Sequence, residues 1–178
     1  MFQFQLENAH MISPRVKHFV ISNTDSEIFD YLPGQFITIL FEHQGKTLRR
    51  SYSIATPPQS SNHLEFAASY VESGPGSEYL FHLKPGDKIQ VSGPYGRLVL
   101  KEPAPRRYIL LATSTGVTPY RAMIPALEQH LASDPEKLLL AMWCAQVVVT
   151  AAFLYYIHVN CGAPGADYGV AFGCQLGA

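Results

Sequence analysis

Arg50-Ser51-Tyr52-Ser53 sets a guanidinium, a phenol ring and two hydroxyls on one short β-rich run. Gly74-Pro75-Gly76-Ser77 then leads into Ser77–Leu83 (SEYLFHL), whose apolar spacing is helical. The two segments suit one kind of ligand, a dinucleotide with a flat redox-active ring. An arginine meets a pyrophosphate with a fork of charged donors. A helix N-terminus adds backbone N–H groups, and glycine there lets a phosphate come close. A tyrosine face and a small hydroxyl serve the ring. On its own, R-x-Y-S reads equally as a surface arginine beside a core tyrosine, so the case for a dinucleotide rests on both segments together.

A second set lies further along. Ala112-Thr113-Ser114-Thr115-Gly116-Val117-Thr118-Pro119 follows an apolar run and opens a helix predicted to reach about Ala132, with Thr118 as N-cap and Pro119 in the first helical position. Glycine and a helix N-terminus again favour phosphate. Cys161-Gly162-Ala163-Pro164-Gly165 closes another apolar stretch, Phe153–Asn160. Other chemistries have less support. The seven histidines form no i, i+3 or i, i+4 pair, so no metal site is expected. The nucleophile elbow G-x-S-x-G is absent.

The elements that must position these residues fall into two kinds. Phe2–Ala9 alternates apolar and polar, and Arg15–Asn23 does so less cleanly. A turn at Tyr31-Leu32-Pro33-Gly34 precedes the run Gln35–His43, and His43–Lys46 reads as a hairpin loop into Thr47–Ala55. Leu64–Val71 and Lys88–Ser92 follow. Strands at such intervals predict a closed antiparallel barrel or sandwich. Glu102-Pro103-Ala104-Pro105 reads as a linker. Beyond it, Arg107–Thr113 is a nearly continuous apolar run, then comes the helix, then a strand starting at Leu138–Ala141. Strand, helix, strand is the pattern of a parallel α/β unit. Two units are expected, 1–102 and 103–178.

A chain of 178 residues suits one ordinary domain or two small ones. Its 47% apolar content argues against wholesale disorder. Thirteen basic and fourteen acidic residues form no basic stripe, so no nucleic-acid partner is expected. Cys144, Cys161 and Cys174 have the spacing of neither a disulfide framework nor a metal site. The N-terminus has no basic run before an apolar core, so no signal peptide and a cytoplasmic location are expected. From Leu138 onward, Asp167 is the single charged residue. Leu138–Val159 is long enough to span a bilayer. β-branched and aromatic residues dominate it and no basic flank follows, so two buried parallel strands are expected and no membrane association.

Taken in order, TLRRSYSIATPP, LEFAASYV, SGPGSEYLFHLKPGDKIQVSGPYG and ILLATSTGVTPYRAM resemble the ferredoxin–NADP(+) reductase family of flavoenzymes, over about residues 1–143. The resemblance implies an N-terminal antiparallel Greek-key β-barrel that holds FAD and a C-terminal parallel α/β domain that takes NADPH or NADH. It implies that Arg50 contacts the pyrophosphate, that Tyr52 packs on the flavin and its ribityl chain, and that Ser53 lies beside the flavin N5, with Ser51 in the same cofactor-binding run. Gly74, Gly76 and Ser77 match the pyrophosphate-binding helix start. Ala67, Ala68 and Ser69 match the strand that passes the cofactor. Thr115 is placed near the junction of flavin and nicotinamide, Gly116 and Pro119 in the nucleotide turn, and Cys161 and Gly162 in a loop that orients the nicotinamide. The implied activity is hydride transfer from NAD(P)H to FAD, then electron transfer to ferredoxin, flavodoxin or a similar acceptor. Ser53 and Cys161 are its expected catalytic residues.

The chain also departs from the family pattern. Ser114 stands where glycine is usual. A βαβ unit takes about 30 residues, and too few separate the strand near Leu138 from Cys161. The usual arginine after the second strand is replaced by Ala141-Met142-Trp143-Cys144, and an aromatic C-terminal cover of the flavin is absent. A shortened nucleotide domain and a truncated C-terminal sequence are therefore expected. The alternative function is a FAD-binding electron-transfer or regulatory module that no longer uses a pyridine nucleotide. A membrane-anchored reductase is a third reading, resting on Leu138–Val159 alone.

Overall fold

In the computed structural model of the chain, residues 1–25, 27–58, 63–102, 107–132, 138–143 and 168–173 are described, the last two segments by their backbone. Six strands, β1 (Phe2–Ser13), β2 (Val16–Asn23), β3 (Phe36–His43), β4 (Lys46–Ser53), β5 (His63–Ser69) and β6 (Lys88–Tyr95), make one antiparallel sheet in the order β4-β3-β6-β1-β2-β5. The sheet curls because its inward positions alternate along the strands. Phe4 and Leu6, Phe19 and Ile21, Ile37 and Ile39, Leu64 and Phe66, Ile89 and Val91 are all buried in one core. Helix α1 (Pro75–His82) packs Leu80 against this core. It begins two residues before the expected Ser77, with Pro75 in the first turn, where a missing N–H costs nothing.

Local chemistry sets the turns. Gln44 and Gly45 have φ of +51° and +72°, the two positive values that a tight hairpin between right-twisted strands requires. β1 runs on past the expected Ala9 to Ser13. An irregularity in its pairing between Leu6 and Asn8 turns this outer half away from the core, leaving Met11 and Ile12 exposed.

The second unit is a parallel sheet in the order β8-β7-β9, with β7 (Arg107–Ala112) between β8 (Leu138–Trp143) and β9 (Tyr168–Gly173). Helix α2 (Thr118–Ala132) covers β7 by burying Tyr120, Met123 and Leu127 against Tyr108, Leu110 and Ala112, and Leu98 and Leu100 join this core from the barrel side. The Tyr120 hydroxyl donates to the Leu111 carbonyl at 3.0 Å and pins the helix to the strand.

Two expectations change here. Thr118 is not a cap: its φ of −53° and ψ of −51° are helical, because a 3₁₀ turn, Ser114–Val117, runs straight into α2. β9 was not expected; its short Gly- and Tyr-containing run has no strong period of its own. The opening of the stretch weighed as a bilayer span is β8, a strand paired with β7, and among the described residues no helix is long and apolar enough to cross a membrane. The expected strand Phe153–Asn160, Cys161, Gly162 and the segment that bears on shortening lie outside the described residues.

Candidate functional site

β4 and β5 are the two edges of the barrel sheet, and no ladder joins them. Just beyond β4 they are stapled. The Ala55 N–H donates to the Glu65 carbonyl at 2.7 Å, and the Glu65 N–H donates to Thr56 Oγ1 at 2.6 Å. The Tyr52 ring lies 5.2 Å from that of Phe66 across the same line. A seam is left along the rest of β4 and β5, and edge strands carry backbone groups free of a ladder on that side.

The structure brings most of the expected residues to this seam. Arg50 and Tyr52 share one face of β4 and Ser51 and Ser53 the other, as the alternation of a strand demands. Ser51 Oγ lies 3.1 Å from Thr38 Oγ1 on the neighbouring strand, so its side chain is turned toward β3. Across the seam, Ala68 belongs to the barrel core, Ala67 is buried on the opposite face and Ser69 is half-buried.

Arg50 and the start of α1 meet directly. A Cβ on Gly76 would lie 2.9 Å from Arg50 Cγ, so the glycine is what lets the arginine stem cross the helix N-terminus. The first intrahelical bond is taken by Glu78, whose N–H donates to the Gly74 carbonyl at 2.9 Å. Pro75 has no N–H, and those of Gly76 and Ser77 have no carbonyl one turn back within the helix. One Arg50 donor is used on the Arg49 carbonyl at 2.8 Å, out of the five a guanidinium carries. An anion at this point would meet a charged fork and two backbone donors. The Ser77 side chain also ties down the loop before the helix, its Oγ accepting from the Val71 N–H at 2.8 Å.

Burial pushes the Tyr52 phenol up to about 12, against the opposing pull of the nearby Arg50 charge. The hydroxyl therefore keeps its proton across the physiological range. Tyr31 is likewise raised to about 12, chiefly by burial, and its hydroxyl donates to the Thr56 carbonyl at 3.0 Å, bracing the chain just after β4.

The turn Ser114–Val117 lies against β5, with Gly116 and Pro119 buried and Thr115 half-buried. Ser114 has a φ of +47°, in the left-handed region where a Cβ is strained. Ser114→Gly is accordingly expected to stabilise the chain by about 0.5–1 kcal/mol, the relief of strain less the entropy that glycine adds to the unfolded state. Thermal unfolding should show the midpoint rising by roughly 2 °C; a fall would mean that the serine side chain holds the turn in a way that outweighs its strain.

Three residues at this junction had no signal in the sequence. Glu65 on β5 accepts a hydrogen bond from Arg121 in the first turn of α2 and lies 3.1 Å from His18 Nε2 on β2. Burial alone would raise the Glu65 carboxyl, but the hydrogen bonds and charges of Arg121 and His18 outweigh it and hold it below its ordinary value. The sign follows from linkage: the stabilisation is present above the ordinary glutamate pKa and is lost as the pH falls through the lowered one. About half of the Arg121 side chain is exposed, and pairs of this kind contribute about 0–1 kcal/mol. Beside them, a cavity of about 850 Å³ opens between the barrel and α2, with Ala55, Ala67, Val117, Thr118, Arg121 and Ile124 among its walls. Solitary charges far apart in the chain carry no pattern that would have paired them.

Comparison with known proteins gives the family of the barrel. Residues 3–100 match the family model described as the oxidoreductase FAD-binding domain. The chain is 34% identical over 125 residues to ferredoxin–NADP reductase B of Sorangium cellulosum, a match covering 70% of this chain and 51% of that protein. It is 42% identical over 93 residues to the ferredoxin–NADP reductase of Azotobacter vinelandii, covering 51% of this chain and 36% of that one. The chain thus spans about half or less of the length of these curated relatives. In fold it is similar to a ferredoxin NADP+ reductase from Neisseria gonorrhoeae solved with bound FAD and NADP, with a TM-score of 0.70 at 17% identity, covering 94% of this chain and 83% of that one. With more than half of its residues matched to the domain and a seam furnished by Arg50, Tyr52 and the start of α1, the chain belongs to the ferredoxin–NADP(+) reductase family of FAD-binding oxidoreductases.

Proposed function

We propose that the chain binds FAD along the barrel seam and serves as the flavin-bearing part of an NAD(P)H oxidoreductase, with residues 1–102 as the FAD-binding unit and 103–178 as the nucleotide-binding unit. The observation that carries this reading is the contact of the Arg50 stem with Gly76, where only a glycine fits. When bound, the flavin supplies the acceptor for a hydride and a means of passing electrons on. The chain's own residues then serve to place the reacting groups. Arg50, with the N–H groups of Gly76 and Ser77, holds the pyrophosphate, and Gly74 sets the turn that leads into that helix. Tyr52 offers its ring and a protonated hydroxyl to the cofactor. Ser53 donates a hydrogen bond beside the flavin ring, Ser51 keeps the strand in register, and Ala67, Ala68 and Ser69 leave room along β5. Thr115, Gly116 and Pro119 form the turn that receives the nicotinamide, and Cys161 and Gly162 orient it. The donor is NADPH or NADH. Relatives named as ferredoxin–NADP reductases support a ferredoxin-type acceptor, and flavodoxin or a similar carrier suits the same chemistry.

Ser114 favours a second reading, a FAD module that has given up the pyridine nucleotide, because its left-handed backbone places a side chain in the turn where the family pattern has glycine. One experiment separates the two. The purified protein is expected to be yellow, and anaerobic addition of NADPH and NADH in turn is expected to bleach it with one of them. Yellow protein that neither nucleotide bleaches would establish the module instead. Colourless protein that takes up no added FAD would overturn the assignment of Arg50, Tyr52 and Gly76.

A further inference from the structure

The first turn of α2 lacks one of its internal hydrogen bonds. Pro125 has no N–H to donate to the carbonyl of Arg121 one turn back. The turn is also held from outside. Arg121 donates to the Glu65 carboxylate, and its Nη1 also lies 3.5 Å from the Ala55 carbonyl. Glu65 is itself fixed on both sides: its backbone is stapled to Ala55 and Thr56, just after Ser53, and its carboxylate meets His18. The same residue therefore closes the seam behind Ser53 and grips the helix that follows Thr115 and Gly116. The turn Ser114–Val117 lies against β5, the strand that carries Glu65. The space beside the clasp is the cavity between α2 and the barrel, so the clasp spans a gap that packing leaves open.

We infer that Glu65 and Arg121 form a positioning clasp that sets the nucleotide turn Ser114–Val117 against the flavin strand, and so governs how productively the nicotinamide stacks rather than whether FAD binds. This rests on the function proposed above, and the test has one arm that does not depend on it.

Glu65→Gln and Arg121→Met are compared with the unaltered chain, with Arg121→Lys as the conservative variant. In the first arm, amide hydrogen exchange is followed on the FAD-free protein. The amides of Ser114–Val117 are expected to exchange about threefold faster in Glu65→Gln and Arg121→Met, with β2 and β3 as protected as before. In the second arm, the FAD-loaded proteins are mixed anaerobically with NADPH or NADH. FAD affinity is expected to stay within twofold, while the reduction rate at saturating nucleotide falls about threefold and the long-wavelength absorbance of the stacked rings weakens. Arg121→Lys should recover part of both losses, because it restores the charge without the fork. Unchanged exchange in the turn overturns the clasp, whatever the second arm shows. Faster exchange with an unchanged reduction rate overturns its catalytic consequence. If the unaltered FAD-loaded chain is not reduced at all, the reductase reading fails, and the exchange data alone decide whether the clasp exists.

Discussion

Arg50→Ala is expected to fold normally and to lose most of its affinity for FAD. Arg50 lies half-buried on the edge strand β4, and among the described residues its side chain donates to a backbone carbonyl rather than to a carboxylate that its loss would orphan. Truncation removes a charged fork from the start of α1 and the stem that packs over Gly76. Hydrogen bonds to charged groups contribute about 1.5–3 kcal/mol, which corresponds to roughly a 100-fold rise in the dissociation constant. Arg50→Lys keeps the charge, loses the paired donors and should fall in between, near tenfold. Titration of FAD into apoprotein, read by flavin fluorescence, checks both, with far-ultraviolet circular dichroism as the control for folding. Equal affinities across the series would remove Arg50 from the site and with it the main support for the seam as the cofactor's place.

Gly34→Ala carries the largest expected cost to stability. Gly34 has a φ of +96°, which an alanine adopts only under strain. The added Cβ would also lie 1.8 Å from the Leu98 carbonyl oxygen and 2.3 Å from Met123 Cε. A methionine tip can swing away, but a backbone carbonyl cannot without moving its stretch of chain. Met123 is wholly buried in α2, and Leu98 packs in the same core. The clash therefore pushes on the joint between the barrel and the second unit, not only on the turn. Strain and overpacking together put the loss at about 4 kcal/mol, or roughly 10 °C in the thermal midpoint. Gly45→Ala separates the two causes. Its φ is +72°, but nothing lies within 4 Å of the new methyl, so it should cost only about 1 kcal/mol. Similar losses at both positions would show that backbone strain alone is at work and that Gly34 has no special role at the joint.

Much of the barrel was legible in the sequence because its signals are local. The alternation of Phe4 and Leu6, or of Ile37 and Ile39, reports a strand buried on one face. Gln44-Gly45 reports a hairpin through two positive φ values. Arg50, Tyr52 and the Gly74–Ser77 helix start could be singled out because their chemistry and their order along the chain agree. The boundaries were less legible. β1 outran its alternation because its irregular pairing after Leu6 lets the strand continue while its side chains leave the core. Thr118 looked like a cap because Pro119 follows it, yet the turn before it was already helical.

The order of residues by itself determined the strands of the barrel, the two helices and which residues have the chemistry of a dinucleotide site, since each depends on neighbours a few positions apart. Tertiary structure alone decided which residues meet across the chain. The sheet order places β4 and β5 at opposite edges, and curling brings those edges back together, so Tyr52 faces Phe66 and Ala55 bonds to Glu65. Arg121 reaches Glu65 from fifty-six positions away because α2 packs on β7 and presents its first turn to the barrel. Gly34 is costlier to replace than Gly45 because the Leu98 carbonyl and Met123 fill its space, over and above the strain of its own turn. Such contacts depend on distances between elements, and a linear period cannot encode a distance across a fold.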